Sequence, residues 1–179
     1  MKHPEFLLIP ILMLADHFLS LTASALSEKK YGKHFISDTV ELNPLWKISV
    51  GKKKWFNLPH LVGVAVITLL LLLIDINPTI PEYEVQIFLG FLFTIMGIVV
   101  ARSTSHILTS LYVIWKPDQI AGSVQMKHGF SLAASQHELI GILILFVMLF
   151  AFVQAPFLLG NILGVLALIL AHSIWLWQE

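Results

Sequence analysis

Asp16 and His17 interrupt an otherwise apolar run, and Ser20 and Ser24 follow Asp16 at intervals of four. On a helix this spacing puts Asp16, Ser20 and Ser24 on one face, with His17 alongside. An ionisable side chain inside a membrane span costs roughly 2.5 to 3.5 kcal/mol on insertion scales, so it is expected to have either a function or a partner. Counted from Glu5, Asp16 lies about 16 Å along the helix, which predicts a position near the bilayer centre. There the face reads as part of a path for protons or cations. The structural alternative is a neutral carboxyl hydrogen-bonded to a neighbouring helix.

A second polar face comes from Arg102, His106 and Ser110, again at intervals of four, flanked by Ser103, Thr109 and Tyr112. Arg102 is about 26 Å from Val85, close to a membrane boundary where its long side chain can reach water unaided. His106 is expected to meet Gln136, His137 and Glu138 at the start of a later helix. Against that, Glu138 at a helix amino terminus is explained by the helix dipole, and His137 by solvation. His172 reads as an interface residue.

A third segment is Glu41-Leu42-Asn43-Pro44-Leu45, in a lysine-rich loop. Asn43 as a cap and Pro44 at the first helical position would begin a helix. The first third of the chain also resembles a group of small uncharacterised prokaryotic membrane proteins. In these an Asp followed four residues later by Ser or Thr precedes a Glu-x-Asn-Pro segment, and the positions that match here are Asp16, Ser20, Glu41, Asn43 and Pro44. The resemblance implies that Asp16 and Glu41 belong to one constellation and brings no activity with it.

The elements that position these residues are helices in a membrane. Of 179 residues, 57% are hydrophobic and 12% charged, and the mean hydropathy is +0.83. Soluble domains carry roughly 25% charged residues. Eleven basic and eleven acidic side chains balance, so no global field recruits nucleic acid. Cysteine is absent, which excludes disulfides, thiolate metal sites and cysteine nucleophiles.

A spanning helix needs about 20 mainly apolar residues. The pattern predicts an all-α polytopic membrane helical bundle of about five transmembrane helices in one domain, with spans at 5–26, 55–76, 85–105, 137–154 and 156–177. The start of the chain imitates a signal peptide, with Lys2, an apolar run from Phe6 to Ala15, and Ala23-Ser24-Ala25. Asp16 and His17 break that apolar run, and a retained first span is the expectation. Helical character from Val85 to Trp115 covers about 46 Å, more than a hydrocarbon core of about 30 Å. This stretch must therefore emerge, kink or pack against other helices. Gln154-Ala155-Pro156 divides the last apolar run into a tight helical hairpin. Gly160 and Gly164 form a GxxxG pattern that permits close approach of another helix, dimerisation being one use of it.

Lys29, Lys30, Lys33, Lys47, Lys52, Lys53 and Lys54 crowd the first loop, whereas Asp75, Glu82 and Glu84 follow the second span. The positive-inside rule then predicts the amino terminus outside and the carboxyl terminus inside, and the resemblance implies the cytoplasmic membrane of a prokaryote. Trp46, Trp55, Trp115, Trp175 and Trp177 all map to the same, cytoplasmic interface, where indoles prefer to lie.

No HExxH, P-loop, dinucleotide fingerprint, GxSxG, selectivity-filter glycine pair or arginine ladder occurs. Three readings follow. In the first, a small channel or transporter uses Asp16, His17, Ser20, Arg102, His106, His137 and Glu138 as its polar site, and so small a chain would form a homo-oligomer to enclose a pore. In the second, an embedded enzyme acts on a lipid or lipid-linked substrate, with Glu41, His106, His137 and Glu138 as metal ligands or acid and base groups and Asn43 beside them. Oxygen and imidazole donors suit Zn, Mn or Mg. In the third, a structural subunit uses these polar residues to hold helices together. The expected partners are the lipid bilayer and an ion or lipid ligand.

Overall fold

The computed structural model describes residues 2–27, 34–37, 50, 52 and 54–178, with 35–37 described by backbone alone. Glu41, Asn43, Pro44 and Trp46 lie outside the described residues. Within them run five long helices: α1 (Leu8–Ser27), entered through a 3-10 turn at Pro4–Leu7; α2 (Leu58–Ile76); α3 (Glu82–Trp115); α4 (His128–Val153); and α5 (Pro156–Leu176). Each is long and apolar enough to cross a membrane. The protein is an all-α, five-helix integral membrane protein.

Proline sets several boundaries, because its missing N–H and fixed φ suit a first helical turn. It stands at the start of the 3-10 turn, of α2 and of α5, and Pro81 precedes α3. α4 ends at Gln154, whose φ of 51° is left-handed. The chain thereby reverses between α4 and α5.

Two helices are longer than the expected spans. α3 is one uninterrupted helix of 34 residues, about 51 Å long, so residues 85–105 cover only part of it. Of the three alternatives for this stretch, continuation past a membrane thickness while packed on neighbours is the one adopted. α4 begins at His128 and not near residue 137. Its early residues are polar enough to resemble a loop, yet His128, Leu132, Ser135 and Leu139 are buried at helical spacing.

The helices pack in the order α2, α1, α3, α5, α4, with α3 central and its largest contact with α5. α1, α3 and α5 run parallel, and α2 and α4 run the opposite way. One end of the bundle carries the α2–α3 and α4–α5 connectors. The other carries the long loops, where Phe35–Ser37 (β1) pairs in parallel with Val124–Met126 (β2), Ile36 opposite Gln125. This short ladder ties the first loop to the α3–α4 connection, and sequence patterning had not anticipated it.

The connector half is apolar and close-packed. Phe6 and Ile9 are buried against Leu71 of α2 and against Val85 and Leu89 of α3. A side chain at Gly90 would collide with the Phe157 carbonyl, and one at Gly160 with the backbone of Ile87. A Cβ on Gly164 would lie 2.8 Å from the Phe91 carbonyl oxygen. The GxxxG pattern therefore serves the α3–α5 seam inside one chain. Asn161 seals this seam: with its amide nitrogen turned to the surrounding acceptors, its two N–H groups are shared among the carbonyls of Phe157 (3.1 Å) and Gly90 (2.9 Å) and Thr94 Oγ1 (3.1 Å).

Asp75, counted above with the residues that follow the second span, is instead in the last turn of α2 and only 4% exposed. Its carboxylate accepts from the backbone N–H groups of Lys2 (2.9 and 3.1 Å) and His3 (2.8 Å). These donors precede the first turn of the chain and have no helical carbonyl to bond. Asp75 so fixes the start of α1 to the end of α2.

Candidate functional site: a polar layer across the bundle

Asp16 Oδ1 accepts hydrogen bonds from Ser103 Oγ of α3 (3.2 Å) and from Ser20 Oγ one turn along α1 (3.4 Å). The two hydroxyl oxygens are 3.3 Å apart. A carboxylate and two hydroxyls thus close a three-membered polar cluster at the α1–α3 contact. The predicted Asp16–Ser20 face is present, and its partner is Ser103, a residue weighed in the sequence only as a flank of Arg102.

His17, on the next face of α1, turns towards α2. Its ring stacks on His60 with centroids 4.8 Å apart and planes at 22°. His17 Nε2–H donates to the Trp55 carbonyl (3.3 Å), and His60 Nε2–H donates to the Met13 carbonyl (3.1 Å). Because a carbonyl only accepts, both rings carry a proton on Nε2. His60 was overlooked in the sequence, although an imidazole inside an otherwise apolar span was the available signal.

On the opposite side of α3, Arg102 Nη2–H donates to the Ser135 carbonyl of α4 (3.2 Å), and Arg102 Nε lies 3.8 Å from Glu138. Arg102 therefore turns onto the neighbouring helix, in place of reaching outward alone. Gln136 crosses to α5, donating to Ser173 Oγ (2.7 Å). His172 is 3% exposed and sits edge-on to Trp175, with centroids 5.4 Å apart.

Gln136 and His137, expected beside His106 and Glu138, have hydrogen-bond partners of their own. His137 is exposed and donates from Nδ1–H to the Ala133 carbonyl on its own helix (2.9 Å), and Gln136 belongs to the α4–α5 contact. It is Arg102, one turn before His106, that meets Glu138; His106 itself is half-buried on α3. Among the described residues, no three His, Asp or Glu side chains are grouped as a metal would require. Glu41, the remaining member of the proposed ligand set, lies outside the described residues.

These groups share one depth. His60 is in the first turn of α2, a helix of 19 residues or about 28 Å, and Asp75 is in its last. Ser103 is 21 residues beyond Glu82, about 31 Å along α3. Asp16, bonded to Ser103 and adjacent to His17, lies 13 residues, about 20 Å, along α1 from His3, which Asp75 holds at the connector end. Polar side chains from all five helices lie in this one layer, and Trp55, Trp115, Trp175 and Trp177 lie at the same end.

Compared with known protein families, characterised proteins and solved structures, the chain has no match. Its chemistry is to be read from the layer itself.

Proposed function

We propose that this protein carries a working site open to one membrane face, where it engages a lipid or lipid-linked ligand at the interface. The observation behind this reading is the single level of Asp16, His17, His60, Arg102, Ser103 and His172, with the apolar core of Phe6, Ile9, Leu71, Val85 and Leu89 between them and the connector end. A pathway across the membrane needs polar groups in a column; here they form a sheet parallel to it. A layer at the boundary suits a ligand whose polar head rests at the interface while its chains stay in lipid. The lysine-rich first loop supports assigning this face to the cytoplasm, and the resemblance of the first third supports a prokaryotic cell. The resemblance of the first third of the chain supports placing Asp16, and Glu41 with it, in the working set.

A proton- or cation-transporting homo-oligomer is the second reading, supported by the Asp16–Ser20–Ser103 cluster, in which a carboxylate between two hydroxyls can exchange a proton or hold a cation. One experiment separates the two. The chain has no cysteine, so Ser103→Cys and His60→Cys can each be labelled singly in sealed vesicles with a membrane-impermeant thiol reagent. Labelling from the loop face alone is the expected result. Labelling from both faces, together with cation or proton flux that Asp16→Asn abolishes, would replace this reading with transport.

A further inference from the structure

The layer has two sides with different chemistry. On the α1–α2 side, His17, His60 and Asp16 are hydrogen-bonded to carbonyls and hydroxyls within the bundle. On the α3–α4–α5 side, bonding capacity is left over. Arg102 has five N–H donors in a planar fork. Among the described residues one is used, on the Ser135 carbonyl, and the 3.8 Å from Nε to Glu138 is longer than a hydrogen bond. His172 Nδ1 and Ser135 Oγ belong to side chains 3% and 5% exposed, and neither has a hydrogen-bond partner among the described residues. His172 is also within electrostatic reach of both Arg102 and His128. Buried polar atoms are nearly always satisfied, so two orphans beside an underused guanidinium ask for a ligand rich in acceptors.

We propose that Arg102, Ser135 and His172 form a subsite for a phosphate-bearing anion, the headgroup of an anionic lipid or the free phosphate group that shares its chemistry. This rests on the reading of the layer as an interfacial site and names the ligand class. A guanidinium fork matches phosphate oxygens in pairs, the Ser135 hydroxyl donates to a third, and the imidazole adds a donor when its Nδ1 carries the proton. Glu138 opposes the anion. Its side chain is 68% exposed, so it turns to water as the phosphate takes its place beside Arg102. The depth agrees: about one hydrocarbon thickness from the far end is where lipid phosphates begin, and basic pockets between membrane helices bind such headgroups.

The test uses the full chain in an uncharged maltoside detergent, with native mass spectrometry to follow bound lipid and the emission of Trp175, in contact with His172, as a second readout. Phosphatidylglycerol is expected to bind at least tenfold more tightly than phosphatidylcholine. Arg102→Gln should lower that affinity tenfold or more and His172→Ala several-fold, while Lys116→Gln, which removes a cation from the same face outside the subsite, leaves it unchanged. Displacement of the lipid by inorganic phosphate assigns the site to free phosphate; resistance to displacement assigns it to lipid. Should Arg102→Gln not fold, Ser135→Ala with His172→Asn carries the same expectation. Equal affinities for the two lipids, or variants that bind like the native chain, would overturn the subsite. Thiol labelling from both faces would sink the one-sided reading and leave the lipid affinities to stand or fall by themselves.

Discussion

The two halves of the bundle use polar groups in opposite ways. In the connector half, Asp75 accepts from two backbone amides and Asn161 bonds three acceptors, while glycines bring α3 and α5 into backbone contact. In the layer half, hydroxyls and imidazoles hold each other at 3.3 Å or at stacking distance, and buried atoms of Ser135 and His172 go without partners among the described residues. Polar groups in the first half complete the fold; those in the second leave capacity for something else. Helices in lipid associate through packing and hydrogen bonds and not through a hydrophobic driving force, so the half with closest packing should hold the bundle together.

The sharpest way to break this contrast is at Gly160. Gly160→Val puts a side chain into the backbone of Ile87, and destabilisation of at least about 3 kcal/mol is expected, seen as loss of monodisperse protein in size-exclusion chromatography. Next comes Asp75→Ala, which leaves the Lys2 and His3 amides without their acceptor. A cost of about 2 kcal/mol is expected, with faster proteolysis near the amino terminus, and Asp75→Asn should recover part of it. In the layer, Ser103→Ala removes hydroxyl contacts averaging about 0.6 kcal/mol in membrane proteins, so unfolding in mixed micelles should shift by less than about 1 kcal/mol. A loss there as large as at Asp75 would mean that the layer is structural glue after all. A gain, opposite in sign to the others, is expected for Gln154→Gly, which removes a left-handed non-glycine residue and should stabilise by a few tenths of a kcal/mol, up to about 1 kcal/mol, in the same assay.

Some of the site was legible in the sequence because it is local. Intervals of four along one helix put Asp16 and Ser20 in contact whatever else the chain does, and proline after Gln154 forces the hairpin. The extended start of α4 was also legible in principle, since His128, Leu132, Ser135 and Leu139 recur with helical period, but the polar residues between them masked it. The Asp16–Ser103, His17–His60 and Arg102–Ser135 contacts were not legible, because each joins different helices.

By itself, then, the sequence determined that this is a membrane protein of five helices, roughly where they turn, and which polar residues share a helical face. Length, apolar content and the 3.6-residue period suffice for that, since lipid forces backbone groups into helices. Tertiary structure alone decided which helices touch, and with it the depth of Asp16 and the partners of His17 and Arg102. Apolar surfaces are interchangeable in lipid, and the choice of neighbour falls to small shape differences such as Gly90 against Phe157 and Gly160 against Ile87, whose pairing no single helix announces.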